Sequence, residues 1–314
     1  MKNKIHFNEV VTRDGFQNEA MFIPTDQKIT LINQLSQCGF AKIEVTSFTS
    51  PKAIPMLADA TEVMQGIERV AGVEYTVLIP NLKGAERAMQ VRPDELNLVM
   101  STSQSHNFSN MRMSMESSFG SLTEVIRFVD HQIAVNVSLS TAFGCPMEGY
   151  VDPRVVIDLI TRFSDLGVNR FTICDTTGMA NPEQVAQMAE LVTNLFPQKS
   201  FIFHFHNTRG MGLANLLSAI DHGITQFDGS LGGLGGCPYA PGATGNICSE
   251  DAIYMTQLIG HDTNIDISRL LDAAKKLETI IGRPLPGQMV KAGTIDRLHP
   301  VSEQVQDLMN QSQL

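Results

Sequence analysis

Nowhere in the chain do lysines and arginines form a run: 23 basic residues are spread against 33 acidic ones, for a formal charge of −10. Nucleic acid, which needs a basic patch to meet its phosphates, is thereby excluded as an expected partner. A small polyanionic ligand is not excluded, because a few local arginines and helix N-termini can hold phosphates inside an acidic protein. No two of the five cysteines, Cys38, Cys145, Cys174, Cys237 and Cys248, make a Cys-x-x-Cys pair, and their number is odd. They read as free thiols of a reducing compartment. No apolar run reaches the length of a membrane span, the opening MKNKIHFNEV lacks the apolar stretch of a secretion signal, and NQSQL matches no targeting signal. A cytoplasmic protein without a membrane partner is expected. What remains is an ordinary globular composition, 43% hydrophobic and 18% charged over 314 residues. That length suits one α/β barrel as well as two smaller domains.

One stretch departs from any ordinary core. Residues 229–246, GSLGGLGGCPYAPGATGN, carry seven glycines and two prolines around Cys237 and Asn246. Glycine frees the backbone for positive φ, so the segment reads as a loop built for chemistry. A flexible linker is the plainer alternative, but linkers are usually rich in Ser or Gln, and this one embeds Cys237, Pro238 and Tyr239 between apolar helices.

Strand-like runs at 6–11, 41–48, 74–79, 95–100, 133–139, 169–174, 201–205 and 224–228 alternate with helical stretches near 25–38, 81–91, 117–131, 153–166, 182–196, 209–222 and 249–259. In the first helix Ile29, Ile32 and Leu35 recur at helical spacing after the N-cap candidate Thr25. Parallel strands need crossover helices and closure removes sheet edges, so eight such units predict a (β/α)8 TIM barrel over 1–262. An open doubly wound sheet is the alternative, but no Gly-x-Gly-x-x-Gly follows the first strand. Residues 263–314 read as a C-terminal helical appendage around the turn GRPLPG, and the apolar face of 267–281 suits a homodimer interface.

A barrel gathers its strand ends on one face. Asp14, Glu44, Asn81, Ser101, Thr141, Asp175, His204 and His206 all fall at or just past such ends. His204 and His206 form His-x-His on a strand, and a period of two points both imidazoles to one side. With Asp14 and Asn246 as oxygen donors, the set suits Mg²⁺ or Mn²⁺ better than structural zinc. Taken alone, His-x-His fits equally well a hydrogen-bonded pair at a barrel mouth. Arg13 beside Asp14 offers a cation for an enolate oxygen, or simply a salt bridge. Cys237 offers a proton donor or acceptor above such an enolate, whereas Cys145 in AFGCPMEG reads as structural.

Seven segments, EVVTRDGFQNE, KIEVTSFTSPKAIP, IPNLKGAERA, FGCPMEG, CDTTGMANP, FHFHNTRGMGLAN and GLGGCPYAPGATGN, together resemble the 3-hydroxy-3-methylglutaryl-CoA lyase family over about residues 5–260. The resemblance implies Asp14, His204, His206 and Asn246 as metal ligands, Arg13 as enolate stabiliser and Cys237 as the catalytic loop cysteine. It also implies an active-site polar shell of Glu44, Asp175, Glu9 and Gln17, with Thr141 as a further substrate contact. The implied reaction is retro-Claisen cleavage of an acyl-CoA thioester into acetyl-CoA and acetoacetate, its base being Asp14, Asp175 or a metal-bound water. For the phosphates of coenzyme A, Arg112 and Lys83 are the candidates. Three departures, Ala20 for the family's Lys, Ala53 for an aromatic and Met147 for Tyr, bear on the walls around the acyl chain and on substrate identity. A citramalyl- or methylmalyl-type thioester, a Claisen-type synthase and a non-enzymatic CoA- or metal-binding relative stand as alternatives. The loop cysteine and the absence of a long C-terminal regulatory domain argue against the synthase, and the complete ligand set argues against the binding protein.

Overall fold

The computed structural model describes residues 3–236 and 245–312. Eight strands, β1 (His6–Glu9), β2 (Lys42–Ser47), β3 (Glu74–Ile79), β4 (Glu95–Ser101), β5 (Ala134–Ser140), β6 (Arg170–Asp175), β7 (Ser200–Phe205) and β8 (Gln226–Gly229), close into a barrel in sequence order. Every pairing is parallel, and β1 joins β8 with Asn8 opposite Asp228. Between the strands run α1 (Thr25–Ser36), α2 (Ala60–Gly66), α3 (Leu82–Met89), α4 (Gln104–Met111), α5 (Met115–Val129), α6 (Pro153–Asp165), α7 (Pro182–Leu195) and α8 (Gly212–Asp221). Following β8 come α9 (Ser249–Leu258), α10 (Ile267–Ile281), α11 (Met289–Ala292) and α12 (Glu303–Gln311). The expected (β/α)8 barrel is therefore observed, and no helix among the described residues is long and apolar enough to cross a membrane.

Local chemistry explains the helix starts. Asp152 accepts from Arg154 N ahead of Pro153, and Asn181 and Gln184 form a reciprocal capping box around Pro182. Thr25 does not cap α1 as expected. Pro24 holds that position, and the Thr25 hydroxyl donates to Asp59 (2.8 Å), which also pairs with the buried Lys28 (2.6 Å). Helices α2 and α4, of seven and eight residues, are not expected from the periodicity, which two turns display only weakly. Strand β1 stops at Glu9 rather than Val11, because the backbone turns there into a π-helical turn, Val11–Gly15.

Alternation decides which strand residues meet which environment. Phe7, Ile43, Val77, Leu96, Leu98, Val137, Phe171, Phe203 and Phe227 are buried against the helices. The opposite positions line the barrel axis and are polar on seven strands, at Asn8, Glu44, Thr76, Asn97, Asn136, Thr172 and Asp228, with Ile202 on β7 the apolar exception. Barrel interiors are more often filled by branched aliphatic side chains. At the N-terminal rim Lys42 pairs with Glu95 and, at 3.7 Å, with Glu74, while Arg170 pairs with Glu74 and, at 2.7 Å, with Glu95. Each of these charges has an opposite partner in a place where an unpaired one would be costly.

The segment after α9 wraps back onto the barrel. Leu270, Ala273, Ala274 and Leu277 of α10 are buried against α1 and α9, so the apolar face read from sequence as a homodimer interface is covered within the chain. Helix α12 buries none of its residues.

Gly39 shows how tightly the returning segment fits. Its φ is +101°, and a Cβ there would lie 2.1 Å from the carbonyl oxygen of Asn264, whereas a Cβ on Gly72, with φ +89°, would meet nothing within 4 Å among the described residues. Gly39→Ala is expected to destabilise the protein by about 2–3 kcal/mol, and Gly72→Ala by only the backbone strain of about 1–2 kcal/mol. Urea denaturation of the two variants checks the difference, and equal midpoints would contradict the packing argument.

Candidate active site

The π-helical turn after β1 aims Arg13 and Asp14 across the C-terminal mouth of the barrel. Arg13 Nε donates to Glu44 Oε2 at the middle of β2, and its Nη1 donates to Asp14 Oδ1 at 2.7 Å. Gln17 Nε2 donates to the same Asp14 oxygen (2.9 Å), and Asn246 Nδ2 donates to Asp14 Oδ2 (2.7 Å). Burial would push the Asp14 carboxyl up, but the charge of Arg13 and the neighbouring His204 and His206 hold it below its ordinary value. Glu44 is moved the other way, since burial outweighs the help of Arg13 and of an amide hydrogen bond from Asn97.

His204 lies on β7 and His206 just past it, and their Nε2 atoms stand 3.1 Å apart. Ligand atoms of Asp14, His204 and His206 all lie within 4.8 Å of one another. Asp228, at the end of β8, faces His204 Nδ1 at 3.1 Å and accepts from Asn8 Nδ2 at 2.9 Å. With Nδ1 bonded to a carboxylate, the histidine presents Nε2 to the site. Burial alone would lower the His204 pKa, but the hydrogen bond and charge of Asp228, with Asp14, raise it.

Asn246 reaches this cluster because residues 245–248 pair with the strand ends: Asn207 N donates to Gly245 O (3.1 Å) and Ile247 N to Phe205 O (2.9 Å). That path requires glycine at two points. A Cβ on Gly245 would lie 1.9 Å from Gly233 O, and one on Gly235, at φ +101°, would lie 2.5 Å from Asn246 Nδ2. Among the described residues, the buried Oδ1 of Asn246 has no hydrogen-bond partner. Two imidazole nitrogens, a carboxylate and an uncommitted amide oxygen converging in one buried place fit a divalent cation.

Asp175 ends β6 at the same mouth. Its Oδ1 accepts from Met179 N (2.7 Å) and Ala180 N (3.1 Å), its Oδ2 has no partner among the described residues, and burial pushes its pKa up to about 6 against those two donors. Thr141 adopts φ +61°, and its hydroxyl is taken up by Ser140 O (2.6 Å) and Thr102 Oγ1 (3.2 Å). Glu9 stands apart from the cluster. Being one residue from the axis-facing Asn8, it points outward, where Val11 N, Leu231 N and Ser249 Oγ donate to it at 2.9, 2.9 and 2.7 Å. Burial raises its pKa to about 8. Asn81 caps α3 through Gly84 N (3.1 Å), and Ser101 is bound to His106 (2.5 Å), so both are engaged away from the cluster. Cys145 is buried and accepts from Ser103 Oγ at 2.9 Å, in keeping with a structural thiol. Lys83 and Arg112 are exposed, in the segments that follow β3 and β4. Cys237 lies outside the described residues.

Sequence reasoning missed Asp228, Asn97 and Asn136. The available signal was the recurrence of polar residues at alternate positions of strands otherwise apolar, as in Asn136, Ser138 and Ser140 of β5.

Comparison with known proteins adds a consistent finding. A family model described as HMGL-like matches residues 4–277. The chain is 44% identical to hydroxymethylglutaryl-CoA lyase YngG of Bacillus subtilis, over 91% of this chain and 96% of that protein. It is 36% identical to the human mitochondrial hydroxymethylglutaryl-CoA lyase, over 93% of this chain and 90% of that one. Among solved structures, an HMG-CoA lyase from Acinetobacter baumannii in complex with coenzyme A and 3-methylmalate superposes with a TM-score of 0.93 at 48% identity, covering 95% of this chain and 98% of that one.

Asp228→Asn keeps the shape of the residue holding His204 but removes its charge. Mn²⁺ affinity measured by isothermal titration is expected to fall about 10- to 100-fold. Unchanged affinity would mean that Asp228 does not orient the histidine.

Proposed function

We propose, from the premise that the chain belongs to the HMGL-like family, that it cleaves 3-hydroxy-3-methylglutaryl-CoA to acetyl-CoA and acetoacetate. The observation that carries this reading is the convergence of the Arg13–Asp14 turn with His204, His206 and Asn246 at one barrel mouth. A divalent cation, Mg²⁺ or Mn²⁺, held by Asp14, His204, His206 and Asn246 would supply Lewis-acid polarisation of the acyl chain's hydroxyl and carboxylate oxygens.

The protein's own groups divide the remaining work. The 3-hydroxyl gives its proton to a base, the C2–C3 bond breaks, C3 becomes the ketone of acetoacetate and the electron pair passes to C2 and the thioester carbonyl. Arg13, fixed by Glu44 and Asp14, sets a guanidinium where that enolate oxygen gains charge. Protonation at C2 then completes acetyl-CoA, with Cys237 as the proposed donor. Asp175 is the proposed base, because its Oδ2 has no partner among the described residues and its pKa of about 6 suits proton transfer near neutrality, whereas both Asp14 oxygens are engaged. Gln17 steadies Asp14 from its other side. Thr141 and Glu9, proposed earlier as substrate contacts, are better read as shaping the mouth, given the partners their side chains already have. Lys83 and Arg112 remain the proposed cations for the phosphates of coenzyme A.

The hydroxymethylglutaryl thioester is favoured over a citramalyl- or methylmalyl-type one. Ala20 and Ala53 are exposed and Met147 is 47% exposed, so none of the three departures is buried in the cluster around Arg13 and the histidines.

Purified protein loaded with Mg²⁺ or Mn²⁺ is expected to release acetyl-CoA from 3-hydroxy-3-methylglutaryl-CoA faster than from either alternative thioester. Cys237→Ala and EDTA should each abolish the release, and turnover that survives EDTA would overturn the metal-dependent reading. A base must be ionised to accept a proton, and burial has raised this one, so kcat should fall as pH drops through about 6. Asp175→Asn should remove that acidic limb and lower kcat about 10²- to 10⁴-fold; a variant keeping both limb and rate would reassign the base.

A further inference from the structure

Arg13 is held by Glu44, and Glu44 is in turn held from deeper in the barrel. Asn97, on β4, donates its Nδ2 to Glu44 Oε1 at 2.7 Å. Its Oδ1 accepts from Asn136 Nδ2 at 2.9 Å and from Ser138 Oγ at 2.8 Å, both on β5. Asn136 Nδ2 also reaches Thr172 Oγ1 on β6 at 2.9 Å. The direction of every bond follows from one fact: an ionised carboxylate only accepts. Glu44 therefore requires the amide NH₂ of Asn97 to face it, which leaves the Asn97 oxygen toward β5 and requires Asn136 and Ser138 to donate. Reversing any amide would set acceptor against acceptor.

We infer that Asn97 is a positioning residue for the lyase reaction, aiming Arg13 by fixing the Glu44 carboxylate from the barrel axis. The inference rests on the proposed role of Arg13 at the enolate. Two buried asparagines in a barrel interior carry a desolvation cost that aliphatic residues would avoid. Here the amide of Asn97 holds a carboxylate whose second oxygen is bound by the arginine, and the amide of Asn136 holds Asn97. With Asn97 absent, Glu44 Oε1 has no donor in a buried place, and the carboxylate is free to turn away from the Arg13 guanidinium. Asn136 acts one link further back and should matter less.

The test is a double-mutant cycle on Asn97→Leu and Glu44→Gln in the metal-loaded full-length enzyme. Asn97→Leu is expected to lower kcat about 10- to 100-fold, the range for losing a hydrogen bond to a charged group. KM for the acyl-CoA and affinity for Mn²⁺ should stay near those of the unaltered protein. In the Glu44→Gln background the same change should add little further loss, because the carboxylate that Asn97 steadies against Arg13 is already gone. Losses that multiply in the double variant, or an Asn97→Leu enzyme with ordinary kcat, would overturn the inference. A purely structural role would instead weaken KM, metal affinity and melting temperature together. If Asn97→Leu does not fold, Asn97→Ser, which leaves the position polar, enters the same cycle. Should the unaltered protein cleave no hydroxymethylglutaryl-CoA, the proposed activity fails while this inference is still decided, by crystal structures of the unaltered and Asn97→Ser proteins. Glu44 and Arg13 rotated in the variant would support it, and unmoved side chains would refute it.

Discussion

Arg13 is shared by two carboxylates, Glu44 on one side and Asp14 on the other, and removing any of the three would strand the rest. Taking a single charge out of water costs several kcal/mol, and that cost is met inside a protein only by close, well-directed partners. Glu44 and Asp14 respond in opposite senses to their surroundings, one raised by burial and the other lowered by Arg13 and the histidines. Gln17 and Asn246 then attach to Asp14, and Asn97 to Glu44. A guanidinium fixed from both ends has little freedom left to lose when a substrate's charge develops beside it.

The barrel can afford a polar axis because its cohesion comes from the other face of the sheet. Phenylalanines at 7, 171, 203 and 227 pack between strands and helices, with ring pairs such as Phe7–Phe227 at 5.9 Å and Phe203–Phe205 at 6.0 Å. Along the axis the chemistry is layered. Paired charges of Lys42, Glu74, Glu95 and Arg170 close the N-terminal rim, amides and hydroxyls occupy the middle, and the proposed metal and enolate groups stand at the mouth. The outer layer supplies packing and the inner one supplies orientation.

Much of this was legible in the sequence, for reasons that also mark where it stopped. Strands buried on both sides are short and regular, so all eight appeared close to their observed positions. His204 and His206 announced themselves because a period of two is local information. Asp228 did not, since its meaning comes from Asn8, which lies 220 residues away, and from a histidine on the neighbouring strand. Glu9 carried the right chemistry on the outward face, which follows from its place one residue after the axis-facing Asn8 in β1. Thr25 looked like a cap until Asp59, from a different part of the chain, took its hydroxyl. The apolar stripe of α10 was real, but the surfaces covering it belong to α1 and α9, which no local pattern reveals.

The outward-facing Glu9 has a bearing on how the protein is made. Its carboxylate ties the first strand to Leu231 and Ser249, contacts spanning 222 and 240 residues, and β1 finds its second neighbour only in β8. On a ribosome the first strand therefore emerges long before its closing partner exists, and its free edge must wait through synthesis of most of the chain. Contacts of such separation fold slowly and leave unpaired edges exposed to other chains. The residue that locks the barrel's seam is thus made more than two hundred residues before its partners Leu231 and Ser249 are.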